Sequence, residues 1–197
     1  METFNYLKKK KITGEEILNG YCLISTYYSY FSKTIVDLPL FPTKEDKFDM
    51  SFSIPRQRIA GEVLRIIDRE FKVKNNTKYL SKVFKGDKLY LVANNIYSLY
   101  EFCEYNYAFL EREKKKVAEH KRDYMNLLPK EYNNEMLINW GMMGEGLLEI
   151  LYILFGEDFN KYIFRYCYSE EVYIKHMSFI NMIKTKPLWP EFQINYE

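Results

Sequence analysis

The sequence predicts an all-α fold, one domain built as a helical bundle of six or seven helices around a long central one. Apolar residues recur at alternating spacings of three and four, which places them on single helical stripes. No convincing period-two run of β-branched residues competes with that pattern, and Lys88 to Val92 is the one stretch that passes for a short strand. The 197 residues, 47% of them hydrophobic, suffice for a core that needs neither disulfide nor metal. No repeat at solenoid period and no composition break divides them.

Residues 1–12 form a basic N-terminal segment. Thr13-Gly14-Glu15-Glu16 then has the form of a capping box, in which hydroxyl and carboxylate each satisfy a free backbone donor, so a helix starts there. Ile17, Tyr21, Ile24, Tyr28, Phe31 and Ile35 share its inner stripe. Residues 37–53, with Pro39, Pro42 and a short charged stretch, predict a long inter-helix connection and the only candidate hinge. Ser53 and Pro55 read as the N-cap and first turn of a second helix that turns Ile59, Val63, Ile66 and Ile67 inward.

Lys74-Asn75-Asn76 closes that helix, and Thr77 caps a short one ending at Lys85-Gly86. Asp87 opens the longest run, in which Leu89, Val92, Ile96, Leu99, Cys103, Asn106 and Leu110 keep the three-four alternation. No Pro or Gly falls between Gly86 and Pro129, which allows a helix of about 40 residues, about 60 Å long, or one broken at the charged stretch 111–123. Glu131 to Phe155 makes a further helix stopped by Gly156, and Asp158 and Ser169 cap two more. The last carries Val172, Phe179, Ile180 and Ile183. Pro187 and Pro190 leave an irregular tail over 186–197 with Trp189 and Phe192.

Lys8 to Lys11 precede an apolar stretch, but Glu15 and Glu16 interrupt it, so the N-terminus does not read as a secretory signal. Ile17 to Ser32 is short and polar on one side, and Leu137 to Phe155 holds Glu145 and Glu149 near its middle, so neither reads as a membrane span. Three widely spaced cysteines, Cys22, Cys103 and Cys167, indicate reduced core thiols and a cytoplasmic protein.

Net charge is +2, yet unevenly spread. Lys72, Lys74, Lys78, Lys82, Lys85 and Lys88 face Asp87 alone, whereas Glu131, Glu135, Glu145, Glu149, Glu157 and Asp158 occupy 131–158 without a Lys or Arg. The basic stretch suits a phosphate-facing patch, with Phe71, Tyr79 and Phe84 available for stacking on bases; alternatively the two stretches pair with each other or are both solvated.

Candidate chemistry is sparse. Glu145 and Glu149 stand one helical turn apart in the most apolar helix, where inward carboxylates would share a proton, hold a metal or act as acid and base; the ordinary expectation is a wet helix edge or a Lys or Arg partner. Neither His120 nor His176 has a Glu three positions earlier, so no di-iron site, and no metal or cofactor of any kind, is implied. Gly141, Gly144 and Gly146 lack the Lys-Ser/Thr of a phosphate loop and read as points of close helix approach. His176 falls on an apolar stripe as a core or boundary histidine, and Asn106 is a lone polar group on the long helix's stripe. Arg112 and His120, on one helix with Glu113-Lys114-Lys115-Lys116 between them, resemble the Arg and His of HEPN-type ribonucleases, all-helical enzymes that cleave RNA. The resemblance implies catalytic roles for these two. It covers about a dozen positions, and the seven residues between the pair exceed that family's spacing.

The most unusual compositional feature is 19 Tyr and 14 Phe, placed on more than one helical face. Tyr offers large apolar area with a polar tip, which suits interfaces. The sequence therefore points first to a non-enzymatic inhibitor or regulator that binds another protein through an aromatic-rich helical surface. A phage or mobile-element anti-defence protein and a toxin-immunity protein are both of this kind. Tyr27, Tyr30, Tyr97, Tyr100, Glu131 and Glu135 are its expected contacts. The alternatives are a nucleic-acid-binding accessory protein using Lys72 to Lys88 and a HEPN-like ribonuclease using Arg112 and His120. No membrane partner is expected, and the heptad-like stripes are compatible with a homodimer.

Overall fold

The computed structural model describes residues 4–37, 39, 43–120, 130–156 and 169–185. The chain begins with a 3-10 turn, Asn5–Lys9, and a short strand β1, Lys11–Thr13. Helix α1, Gly14–Val36, follows directly, and its N-terminus carries the expected capping box: Glu16 N–H donates to the Thr13 hydroxyl, and Thr13 N–H to the Glu16 carboxylate at 2.7 Å. Its buried face runs through Ile17, Ile24, Tyr27 and Phe31, so Tyr27 rather than Tyr28 turns inward.

Helix α2, Lys44–Phe71, starts ten residues before the position expected from Ser53, its N-cap being Thr43. A second capping box, Thr43 with Asp46, satisfies the free donors there, and the helix runs through Pro55. The expected connection over 37–53 is therefore much shorter: the prolines at 39 and 42 precede the cap, and the charged stretch is the first turn of the helix. Lys72 ends α2 in a left-handed conformation, φ 53°.

Helix α3, Thr77–Leu80, is capped by Asn76, and strand β2, Val83–Lys85, leads into α4, Gly86–His120. β1 and β2 pair antiparallel with Lys11 opposite Lys85 and Thr13 opposite Val83. The strand expectation at Lys88–Val92 is corrected, since those residues lie inside α4; three-residue strands are too short to print a period-two pattern. α4 is unbroken for 35 residues, through the charged stretch as far as His120. Helix α5, Lys130–Phe155, ends at Gly156 with φ +66°, and α6, Glu170–Thr185, follows. A helix capped by Asp158 and the tail over 186–197 lie outside the described residues.

Among the described residues six α-helices and the two-stranded ladder make an all-α bundle. α1 packs on α2, α2 on α5, and α5 on α4, while the 3-10 turn sits on α4. Phe4, Ile24, Tyr27, Ile96, Leu147, Leu151 and Ile180 lie at its fully buried centre. Two glycines permit the N-terminal docking. A Cβ on Gly14 would stand 1.8 Å from the Tyr79 carbonyl oxygen, and one on Gly86 would stand 2.0 Å from that of Leu7.

Candidate functional site

Four helices bring charged and polar side chains together in the core: Tyr27 from α1, Arg56 from α2, Glu145 and Glu149 from α5, and His176 from α6. Glu149, 2% exposed, accepts the Tyr27 hydroxyl at 2.5 Å and Arg56 Nε at 3.4 Å on one oxygen, and pairs with His176 Nδ1 at 2.6 Å on the other. Arg56 donates its Nη2 to Glu145 at 2.6 Å and its Nη1 to Met142 Sδ at 2.9 Å. A Cβ on Gly146 would lie 3.2 Å from both Arg56 Cγ and Tyr27 Oη, so the glycine lets α5 approach this pair.

Burial alone would push the Glu149 carboxyl up, but the Arg56 charge and the bonds from His176 and Tyr27 overcome it and hold the group below its ordinary range. Glu149 is therefore a carboxylate, and Nδ1 of His176 carries the shared hydrogen. Burial, with the Glu149 charge beside it, pushes Tyr27 well above the usual phenol range. For Arg56 burial opposes the charged form, and Glu149, Tyr27 and Glu145 outweigh it and keep the guanidinium ionised. Both oxygens of Glu149 are engaged by protein donors, so this is a closed ion-pair network that fixes four helices against one another. Glu145 is its outermost member and lines, with Glu104, Tyr100 and Tyr107, a cleft of about 750 Å³ between α4 and α5. Burial and the nearby Glu145 raise the Glu104 carboxyl.

The Glu145–Glu149 pair thus has an Arg partner from a neighbouring helix, and His176 is a buried, hydrogen-bonded histidine. Arg56 itself was not singled out in the sequence. The signal was there, because it precedes Ile59, Val63 and Ile66 at spacings of three, four and three on the inward stripe, a charged residue where an apolar one belongs.

The aromatic contacts expected from sequence divide. Tyr27 is fully buried and Tyr100 is 8% exposed, so these two are corrected: core packing takes them, since α1 is flanked by α2, α5 and α6 and α4 by α5. Tyr30 and Tyr97 are half-buried, Tyr30 against Phe31 and Phe179, Tyr97 against Phe4 and Tyr100. Glu135 is exposed and lines a cleft with Lys44, Lys47 and Arg58. The Glu131 side chain lies outside the described residues. The aromatics that do reach the surface are others. Phe102, Tyr105 and Phe109, at spacings of three and four on α4, are 57%, 70% and 48% exposed, and the Trp140 ring of α5 meets Phe102 edge-on at 5.5 Å. Asn106, one turn beyond Phe102 and beside this row, donates back to the Phe102 carbonyl at 2.7 Å and so serves its own helix.

Lys72, Lys74, Lys78, Lys82, Lys85 and Lys88 are all exposed. Among the described residues no ion pair joins them to the acidic segment, whose Glu145 and Glu149 take Arg56 instead. Phe71, Tyr79 and Phe84, expected to stack on bases, are buried against one another and corrected to core residues.

Arg112 is exposed on α4, and His120 ends the same helix with its side chain outside the described residues. A step of eight positions along the helix separates the two by about 12 Å and about 80° of rotation. Cys22 and Cys103 are buried free thiols, each pushed up to about 11 by burial. Among the described residues no group of three or more His, Cys, Asp or Glu is placed to hold a metal ion. Glu135–Phe155 has the length and apolarity of a membrane span, with half of it buried inside the bundle. Set against protein-family models, curated proteins and solved structures, the chain finds no match in any of the three.

Proposed function

We propose that this protein acts by binding another protein through the outer face of α4, as its inhibitor or regulator. Anti-defence and toxin-immunity proteins work in this way. The observation that carries the reading is the exposed row Phe102, Tyr105 and Phe109. Large aromatics on consecutive turns are what an interface core uses, because each buries wide apolar area at little entropic cost. Glu101, Arg112 and Lys115 flank the row as exposed charges, the polar rim such a core requires. The charged cluster supports the reading from the other side, since its acid and base groups are spent on holding the helices.

The test is affinity capture of the tagged full chain from its host at high salt, beside a Phe102→Glu, Tyr105→Glu double variant whose helicity is checked by circular dichroism. Aromatic anchors of this kind contribute about 2 kcal/mol or more each. One stoichiometric protein is expected with the parent chain and is expected to be lost with the variant. Equal capture by both would sink the proposal. Sedimentation of the purified chain tells whether the captured partner is a second copy.

A further inference from the structure

Pairing of β1 with β2 joins two basic stretches that lie some sixty residues apart in the chain. The four lysines of 8–11 and the six of 72–88 are all exposed. Lys11 stands opposite Lys85 in the ladder, Gly14 N–H donates to the Lys82 carbonyl, and the missing side chain of Gly86 admits the carbonyls of Leu7, Lys8 and Lys10. Of the acids nearby, Glu16 is engaged in the Thr13 cap, Asp68 with Val73 N–H, and Glu70 with Arg69, which leaves Glu15 and Asp87 as exposed carboxylates beside the lysines. Lys9, Lys78 and Lys85 have no ion-pair partner among the described residues. In a chain of net charge +2, ten lysines gathered at one end of the bundle make a strongly cationic platform.

We propose that this platform binds the phosphate backbone of nucleic acid. The ligand class follows from what the platform has and what it lacks. It presents a dense array of ammonium groups, and nucleic acid carries about one negative charge per 1.7 Å of duplex axis. Phe71, Tyr79 and Phe84 are in the core, and the half-buried rings of Tyr6 and Tyr90 are covered by the ammonium groups of Lys10 and Lys8, so lysines rather than open ring faces meet the ligand and binding is independent of sequence. A membrane-surface site would add an inserted apolar face to its lysines; of the residues in β2 only Val83 offers exposed apolar area.

The experiment is fluorescence anisotropy of the full-length chain with a labelled duplex of arbitrary sequence across a salt series. A Lys9→Glu, Lys78→Glu, Lys85→Glu variant and its Gln counterpart are run in parallel, with Lys175→Glu on α6 as control. Binding is expected at low salt, equal for unrelated sequences. Affinity is expected to fall linearly on a log-log salt plot, with the slope reduced by about 0.9 for each contacting lysine removed. The triple Glu variant is expected to lose at least tenfold, the Gln variant less, and the control nothing. Absence of binding at low salt would overturn the proposal, as would unchanged binding by both triple variants. Binding to phosphatidylserine vesicles with none to the duplex would also overturn it.

Discussion

Glu149 shows how much of this molecule rests on single side chains. It is a buried carboxylate with three donors, and each donor comes from a different helix. Removing one member of a buried charged pair leaves the other uncompensated and costs about 3–5 kcal/mol. Arg56→Ala is therefore expected to lower the unfolding free energy by that amount in a denaturant titration, and Tyr27→Phe, which removes one neutral donor, by about 1–2 kcal/mol. The pH dependence has a definite sign. The folded pKa of Glu149 lies below its unfolded value, so its contribution is complete above the ordinary carboxylate range and is lost as pH falls through the folded value. Unfolding midpoints should fall on acidification below about pH 5, and Glu149→Gln should flatten that acid limb. Asp46, held low by the Thr43 hydroxyl and backbone N–H, keeps a residual slope of the same sign in the variant. An acid limb of unchanged steepness in Glu149→Gln would show that the network does not hold the carboxylate as described.

At the scale of elements, glycines separate local propensity from packing. Ala in place of a helical Gly ordinarily stabilises by up to about 1 kcal/mol. Gly61, inside α2, follows that rule, because its Cβ would meet only the Tyr28 ring at 3.4 Å. Gly86, the first residue of α4, reverses it, because its Cβ would stand 2.0 Å from the Leu7 carbonyl oxygen and 2.5 Å from that of Lys10. Gly86→Ala is expected to destabilise by about 1–3 kcal/mol and to speed proteolysis within residues 4–13, while Gly61→Ala raises the midpoint. The same contrast explains what the sequence shows of the fold. The stripes of α1, α2 and α4 were legible because their spacing is a property of each helix alone. The cap at Thr43 was obscured by the two prolines before it, although its T-x-x-D pattern matches the one read at Thr13. The β1–β2 ladder was not legible, because its three-residue strands pair across the chain. For the same reason Tyr27 and Tyr100 could not be told from Tyr105 or Phe102: composition places aromatics on every face of a helix, and only the neighbours decide which face stays wet.

For the whole molecule, α4 is the axis along which both proposed surfaces are arranged. The lysine platform surrounds its first residues and the aromatic row begins at Phe102, sixteen residues or about 24 Å further along. Screening at physiological salt has a length of about 8 Å, so charge on the platform reaches the row attenuated by about three screening lengths. The two surfaces are also chemically unlike, one answering to salt and the other to apolar area. They are accordingly expected to act independently, as separated sites without shared partners do. Charge reversal at Lys9, Lys78 and Lys85 should leave capture of the protein partner unchanged at high salt, and Phe102→Glu with Tyr105→Glu should leave duplex binding within about twofold. The quadruple comparison of parent, each variant and their combination measures the coupling directly. Additivity would mean that the protein can hold a partner and a nucleic acid at the same time, which suits a regulator acting on a nucleic-acid-bound target. Loss of both activities in either variant, with helicity intact, would mean instead that one continuous surface serves a single ligand.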